Sequence, residues 1–168
     1  MTAAGNGDSL SGAGDLPALT WDADQDLAYL SLGSLSGEEV ETISCEIDPL
    51  NILVVFDVGT TSRRIAGFEI VPASRAFPWM DVLTRASQRD PEPRCTPTVE
   101  VDGDWNWADV RIAATEGELR PTVVPFACRR LPGILGCVTA TGMGIVGFRI
   151  PDPRERLPLD LITSLTRR

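Results

Sequence analysis

Apolar and polar residues alternate along much of this chain with a period of two, the spacing that sends successive side chains to opposite faces of a β-strand. In Leu27 to Leu32, LAYLSL, Ala28, Leu30 and Leu32 point one way and Leu27, Tyr29 and Ser31 the other. Val40 to Ile47 repeats the pattern: Ile43, Cys45 and Ile47 oppose Thr42, Ser44 and Glu46, so one face of that strand is expected to meet solvent. Ile52 to Val58, ILVVFDV, is apolar almost throughout and reads as a strand covered on both faces. A short strand at Leu19 to Trp21 precedes these, and Ile65 to Val71 follows a turn at Thr60 to Arg64. Pro72 ends that strand. Pro78 suits the first turn of a helix, where no amide donor is needed, and a short helix is predicted over Trp79 to Ala86.

The same order is then written a second time. Ile65 to Pro78, IAGFEIVPASRAFP, returns as Ile145 to Pro158, IVGFRIPDPRERLP, so that Gly67 and Gly147, Phe68 and Phe148, and Ile70 and Ile150 stand 80 positions apart. The offset extends upstream, pairing Thr61 with Thr141, Val58 with Val138, Thr42 with Thr122, Gly37-Glu38 with Gly117-Glu118, and Asp22 and Asp24 with Asp102 and Asp104. A fixed offset held this far marks a repeated structural unit. The second copy is predicted as strands at Thr98 to Asp102, Trp107 to Ala114, Thr122 to Cys128, Ile134 to Thr139 and Ile145 to Ile150, then a helix at Leu159 to Leu165. Pro125 marks its strand as an edge, because a proline cannot donate to a neighbour on that side.

The expected fold is therefore α+β: two tandem, pseudo-twofold related, mainly antiparallel β modules, each ending in a short helix. Residues 1–16, rich in Gly, Ala, Ser and Asp without sustained periodicity, read as a disordered leader. The first module is expected over 17–86, a polar, proline-rich linker over 87–97, and the second module over 98–168. Modules this small are marginal alone, so their apolar faces are expected to pack on each other.

Charge changes the picture of partners. The net charge is -9, with a pI near 4.5. Residues 1–90 hold 14 acids against 5 arginines, and residues 91–168 hold 10 of each. Nucleic acid and anionic membrane both require a basic surface, so neither is an expected partner, whereas an acidic first half suits a basic protein. No run of residues is apolar enough for a signal peptide or a membrane span, so the expected location is cytoplasmic.

Histidine and lysine are both absent, and all 15 basic residues are arginine. This removes the imidazole base, the Ser-His and Cys-His nucleophiles, the His metal ligand and the Schiff-base lysine. Cys45, Cys95, Cys128 and Cys137 show no CxxC spacing, and Cys45 and Cys128 fall in predicted strands where a thiol serves as a small hydrophobe. No metal and no cofactor is expected.

Asp22, Asp24 and Asp26, echoed by Asp102, Asp104 and Asn106, twice begin as a calcium loop begins. Such a loop also needs Gly at its sixth position and Glu at its twelfth, where this chain has Leu27 and Trp107, then Gly33 and Ala113. Turn-closing carboxylates account for the pattern instead. Glu69 and Arg149, equivalent positions of opposite charge, could meet as an ion pair near a twofold axis. Trp105, Trp107 and Arg111 share the outward parity of their strand, with Asp109 between them and Tyr29 on the matching face of the first copy. Trp and Arg anchor interfaces, which makes this stripe the candidate contact surface. Gly142 and Gly144 lie between two strands and read as a hairpin turn rather than a phosphate loop.

The run Trp21-Asp22-Ala23-Asp24-Gln25-Asp26-Leu27-Ala28-Tyr29-Leu30-Ser31-Leu32, with Gly67-Phe68-Glu69-Ile70 and Pro72-Ala73-Ser74 closing the unit, resembles the YuzE-like family of small bacterial domains of unknown function. The resemblance covers about Leu19 to Arg75. The second copy keeps the frame but carries Asp109 for the tyrosine and Arg149 for the glutamate. The resemblance implies a compact β-sheet module with a little helix, and some such small proteins look like partners in toxin and antitoxin pairs.

Together these readings favour a non-catalytic protein that recognises a protein partner, in the manner of an antitoxin, immunity or accessory factor. One alternative is a carboxylate-dependent enzyme or small-ligand binder using a cleft between the modules, with Asp22, Asp24, Asp102 and Asp104 as its candidates. Another is a structural component of a larger assembly.

Overall fold

The computed structural model describes residues 16–22, 24–47, 51–76, 97–112, 122–125, 130–138 and 144–167. Five strands come from the first half: β1 (Ala18–Asp22), β2 (Leu27–Ser31), β3 (Val40–Ile47), β4 (Ile52–Gly59) and β5 (Ile65–Val71). A one-turn helix, α1 (Ala73–Ala76), follows. The second half gives β6 (Thr98–Val101), β7 (Trp107–Arg111), β8 (Thr122–Pro125), β9 (Leu135–Val138) and β10 (Ile145–Pro151), then α2 (Pro153–Arg156) and α3 (Leu159–Thr166). The molecule is thus mostly antiparallel β-sheet with a few short helices, an α+β arrangement. Among the described residues, no helix is long and apolar enough to cross a membrane.

The strands form two five-stranded sheets of the same order, β1-β2-β5-β4-β3 and β6-β7-β10-β9-β8. Both carry the same irregularity. In β5 the pairing with β4 steps from Gly67 opposite Asp57 to Ile65 opposite Val58, leaving Ala66 as an extra residue; in β10 it steps likewise around Val146. The bulge explains how Ile65 and Phe68, three apart, can both be fully buried, which a regular two-residue alternation forbids. The carbonyls of Ala66 and Val146 accept from the amides of Leu32 and Ile112, at 2.8 and 2.9 Å.

The inward faces of the sheets share one core. Ala28, Leu30, Ile43, Cys45, Val54, Phe56, Phe68 and Ile70 come from the first sheet, and Val99, Ala108, Val110, Phe148 and Ile150 from the second. Three phenylalanines lock them together. The Phe68 and Phe148 rings meet edge to face with centroids 4.5 Å apart, and Phe56 lies 5.5 Å from Phe68 and 6.3 Å from Phe148. Two glycines permit the close strand contacts this needs. A Cβ on Gly67 would overlap the Leu30 carbonyl oxygen and the Tyr29 ring, and one on Gly147 would overlap the Val110 carbonyl oxygen.

Polar contacts tie the halves at the rim. Arg64 Nη1 donates to the carbonyl oxygens of Arg154 and Leu157, at 2.7 and 2.6 Å, satisfying acceptors at the end of α2. Asp160, in the first turn of α3, accepts from the Ser34 amide at 3.1 Å, while Leu161 of that helix is buried. Glu41 receives both Arg63 and Arg130, the latter at 2.7 Å. The Arg63 contact, then that with Arg130, holds this partly exposed carboxyl below the usual glutamate range.

Three expectations need correction. Ile52–Gly59 is covered on one face only: Ile52, Val54, Phe56 and Val58 are buried, whereas Leu53 is 36% exposed. Outward Leu53 and Val55 favour the strand conformation without filling a second core. The 80-residue offset also breaks at β8. Thr42 lies opposite Asp57, but the counterpart of Asp57, Cys137, lies opposite Val123, and Thr122 lies opposite Val138, so Thr42 and Thr122 are not equivalent. The one-turn helices α1 and α2 were not expected; they occupy matching positions after Pro72 and Asp152. As expected, β8, with Pro125, is an edge strand. The helix expected over Trp79 to Ala86, the leader and linker apart from Leu16 and Pro97, Cys95, Cys128 and Gly142 lie outside the described residues.

Truncating Phe148 to Ala should empty the centre of the shared core and cost about 3–5 kcal/mol. Denaturant unfolding measures the loss, and a near-neutral result would show that the sheets do not depend on this contact.

Candidate functional site

The outward faces of the two sheets are where polar side chains gather, because strand alternation sends every second residue away from the core. Across β1-β2-β5-β4-β3 the middle row reads Thr20, Tyr29, Glu69, Val55 and Ser44. Across β6-β7-β10-β9 the same row reads Glu100, Asp109, Arg149 and Leu135. The two rows are alike in backbone and unlike in chemistry.

On the second sheet, Asp109 and Arg149 face each other and form a two-pronged ion pair. Nε donates to Oδ1 at 2.7 Å and Nη2 to Oδ2 at 2.9 Å, with both side chains partly buried. The Arg149 guanidinium also lies over the Trp107 ring, 5.0 Å from its centroid. Trp107 stays 41% exposed, so this is an aromatic surface capped by a fixed cation. Beside it, Arg154 of α2 covers Trp105 at 4.5 Å. Trp105 sits in the β6–β7 turn with φ 57°, and its amide donates to the Asp102 carbonyl at 3.0 Å. Arg111 reaches Glu100 at 3.7 Å in the open, a contact worth little in water.

On the first sheet, Tyr29 lies across Gly67 and donates its hydroxyl to Asp57 Oδ2 at 2.8 Å. Burial, then the hydrogen bond to Asp57 and the charges of Asp57 and Glu69, push the phenol well above its ordinary value. The hydroxyl is thus held as a neutral donor and is no general base near neutrality.

The structure separates the residues singled out from the sequence. Trp107 and Arg111 stand at opposite ends of β7, both exposed, while Trp105 lies in the turn before the strand. Tyr29 does not join them: it occupies the outward face of the other sheet, and the shared core stands between. Glu69 and Arg149 are not partners either. Each neighbours a phenylalanine that points into the core, so both point outward on opposite sides, and Arg149 is held by Asp109. Asp109, noted only as lying between the tryptophans, is the residue that fixes the cation; its signal was its place opposite Arg149 under a shared register.

The aspartates of the turns serve their own backbone. Asp22 Oδ1 accepts from the amides of Asp24 and Gln25 at 3.0 and 3.1 Å. Asp102 accepts from the Trp107 amide at 3.0 Å and the Asn106 side chain at 3.2 Å. The Trp107 amide leads the contacts that lower the Asp102 carboxyl below the usual range. Asp26 accepts from the Ser74 amide at 2.7 Å and from its hydroxyl, tying the turn to α1. Asp24 and Asp104 are exposed. Among the described residues, no group of His, Cys, Asp and Glu could hold a metal ion.

No family model, no curated protein and no solved structure matches this chain.

Tyr29 is the single tyrosine, so its titration can be read directly from ultraviolet absorbance. The phenolate should be absent from the folded protein near pH 10, where a free tyrosine is half ionised. The folded state then keeps a proton that the unfolded chain releases, so Tyr29's contribution to stability is complete below about pH 10 and is lost as pH rises above it. Asp57→Asn should move the transition down; an unchanged transition would mean that Asp57 does not hold the hydroxyl.

Proposed function

We propose that the chain is a non-catalytic protein-binding factor of the antitoxin, immunity or accessory kind, built as two tandem copies of one β module about an approximate twofold. Shared strand order, the shared bulge at Ala66 and Val146, and the contact between the equivalent rings of Phe68 and Phe148 support the duplication. The binding reading is carried by Trp107, a large ring exposed on a sheet face and held under a guanidinium that is itself fixed by Asp109. A side chain preorganised in this way loses little freedom when a partner covers it, and Trp and Arg dominate the energetics of interfaces.

Against a catalytic role, Asp22 and Asp102 are engaged by turn amides and Tyr29 is held neutral. The protein used as bait should retain a partner that Trp107→Ala loses by roughly tenfold or more. Asp24→Asn, in the β1–β2 turn of the other sheet, should leave retention unchanged. Retention of every captured protein at full level by Trp107→Ala would remove this surface from consideration.

A further inference from the structure

Two open sheets present four edges, and three of them are guarded. β1, β6 and β8 are five, four and four residues long, and each meets or contains a proline, Pro17, Pro97 and Pro125, which has no N–H to offer. The fourth edge, β3, runs for eight residues in unbroken register with β4 and contains neither proline nor a basic residue. The Glu39 carbonyl accepts from the Thr60 amide at 3.0 Å, which fixes the phase of that ladder. Glu41, Ile43, Cys45 and Ile47 therefore turn their N–H and C=O groups toward β4, and Val40, Thr42, Ser44 and Glu46 turn theirs to the open side. The side chains of these last four are all exposed, Val40 by 47%. Glu41, the one charge of inward parity, is held by Arg63 and Arg130 and so does not repel a neighbouring strand.

We infer that the β3 edge takes up an extended segment of another protein as a sixth, antiparallel strand, with a basic residue of that segment opposite Glu46. A row of backbone donors and acceptors at strand spacing is complemented by another extended backbone, so the chemistry of the edge names its occupant. Glu46 sets the polarity of the occupant, because among the described residues it has no ion pair. Read against β3, the segment runs from a basic residue at Glu46, through residues suited to Ser44 and Thr42, to an apolar residue at Val40. A second copy of the chain fits poorly. Two β3 strands paired along Val40 to Glu46 would set each Glu46 against the other's Val40 and join two chains of net charge -9. This edge belongs to the first sheet and Trp107 to the second, so the inference does not rest on the Trp107 reading above.

The test uses the full chain with the end-blocked peptide Arg-Val-Thr-Ala-Thr-Ala-Ile and a second peptide with Glu in place of Arg, followed by calorimetry and amide hydrogen exchange. In the free protein the amides of Thr42, Ser44 and Glu46 should exchange fast and those of Ile43 and Cys45 slowly; the Arg peptide should slow the first three. Glu46→Lys should weaken the Arg peptide about tenfold and come to prefer the Glu peptide. Ser44→Pro removes an outward N–H and none of the bonds to β4, so it should abolish binding while unfolding stays cooperative. If that variant fails to fold, the reversal in Glu46→Lys decides. Trp107→Ala should bind the peptide as the wild type does. Equal protection of all five amides in the free protein, no protection by the peptide, equal binding of the two peptides, or undiminished binding by folded Ser44→Pro would each overturn the inference. So would a wild-type dimer that Ser44→Pro dissociates, since the occupant would then be a second copy of the chain.

Discussion

The contact between Phe68 and Phe148, with Phe56 against both, is the constraint on which the rest depends. Neither five-stranded sheet alone could bury its apolar face. Once the rings interlock, the inward side of every strand must be apolar and closely fitted, and the glycines at 67 and 147 must remain free of a side chain. The rim contacts of Arg64, Asp160 and Glu41 then fix how the sheets sit on each other. They work at the edge of a core that already holds most of the burial, so they orient more than they drive.

The outward faces are under no such constraint, and it is there that the halves differ. Glu69 and Arg149 occupy the same place in equivalent strands, yet the core beneath them, Phe68 with Ile70 and Phe148 with Ile150, is unchanged in type. A charge on a solvated sheet face can reverse with little effect on packing, provided its neighbours adjust. The adjustment is visible in Asp109, which meets Arg149 where the first half has Tyr29.

Much of this frame was legible in the sequence because sheet formation obeys a short-range rule. Val40–Ile47 begins and ends where its alternation does, and Ile65–Val71 ends where Pro72 stops it. The misreadings have physical causes. Ile52–Gly59 looked doubly buried because β-branched residues favour strands whether or not they are covered. The slip of β8 against β9 is a property of pairing, and a pairing register cannot be read from identities at a constant offset. The outward parity of Trp107, Asp109 and Arg111 was legible, but Trp105 precedes the strand in a turn that parity does not describe. The separation of Tyr29 from these residues was not legible, since parity says which residues share a face but not which way that face looks after two sheets close on each other. The pairing of Arg149 with Asp109 required knowing that β10 and β7 are neighbours.

The opposed placement of the two outward faces has a consequence for stoichiometry. Sheets packed face to face stand about 10 Å apart, and their outer side chains extend in opposite directions from that layer. Whatever covered the Trp107 side would not contend for volume with anything on the Glu69 side, so the two outward faces are sterically independent surfaces.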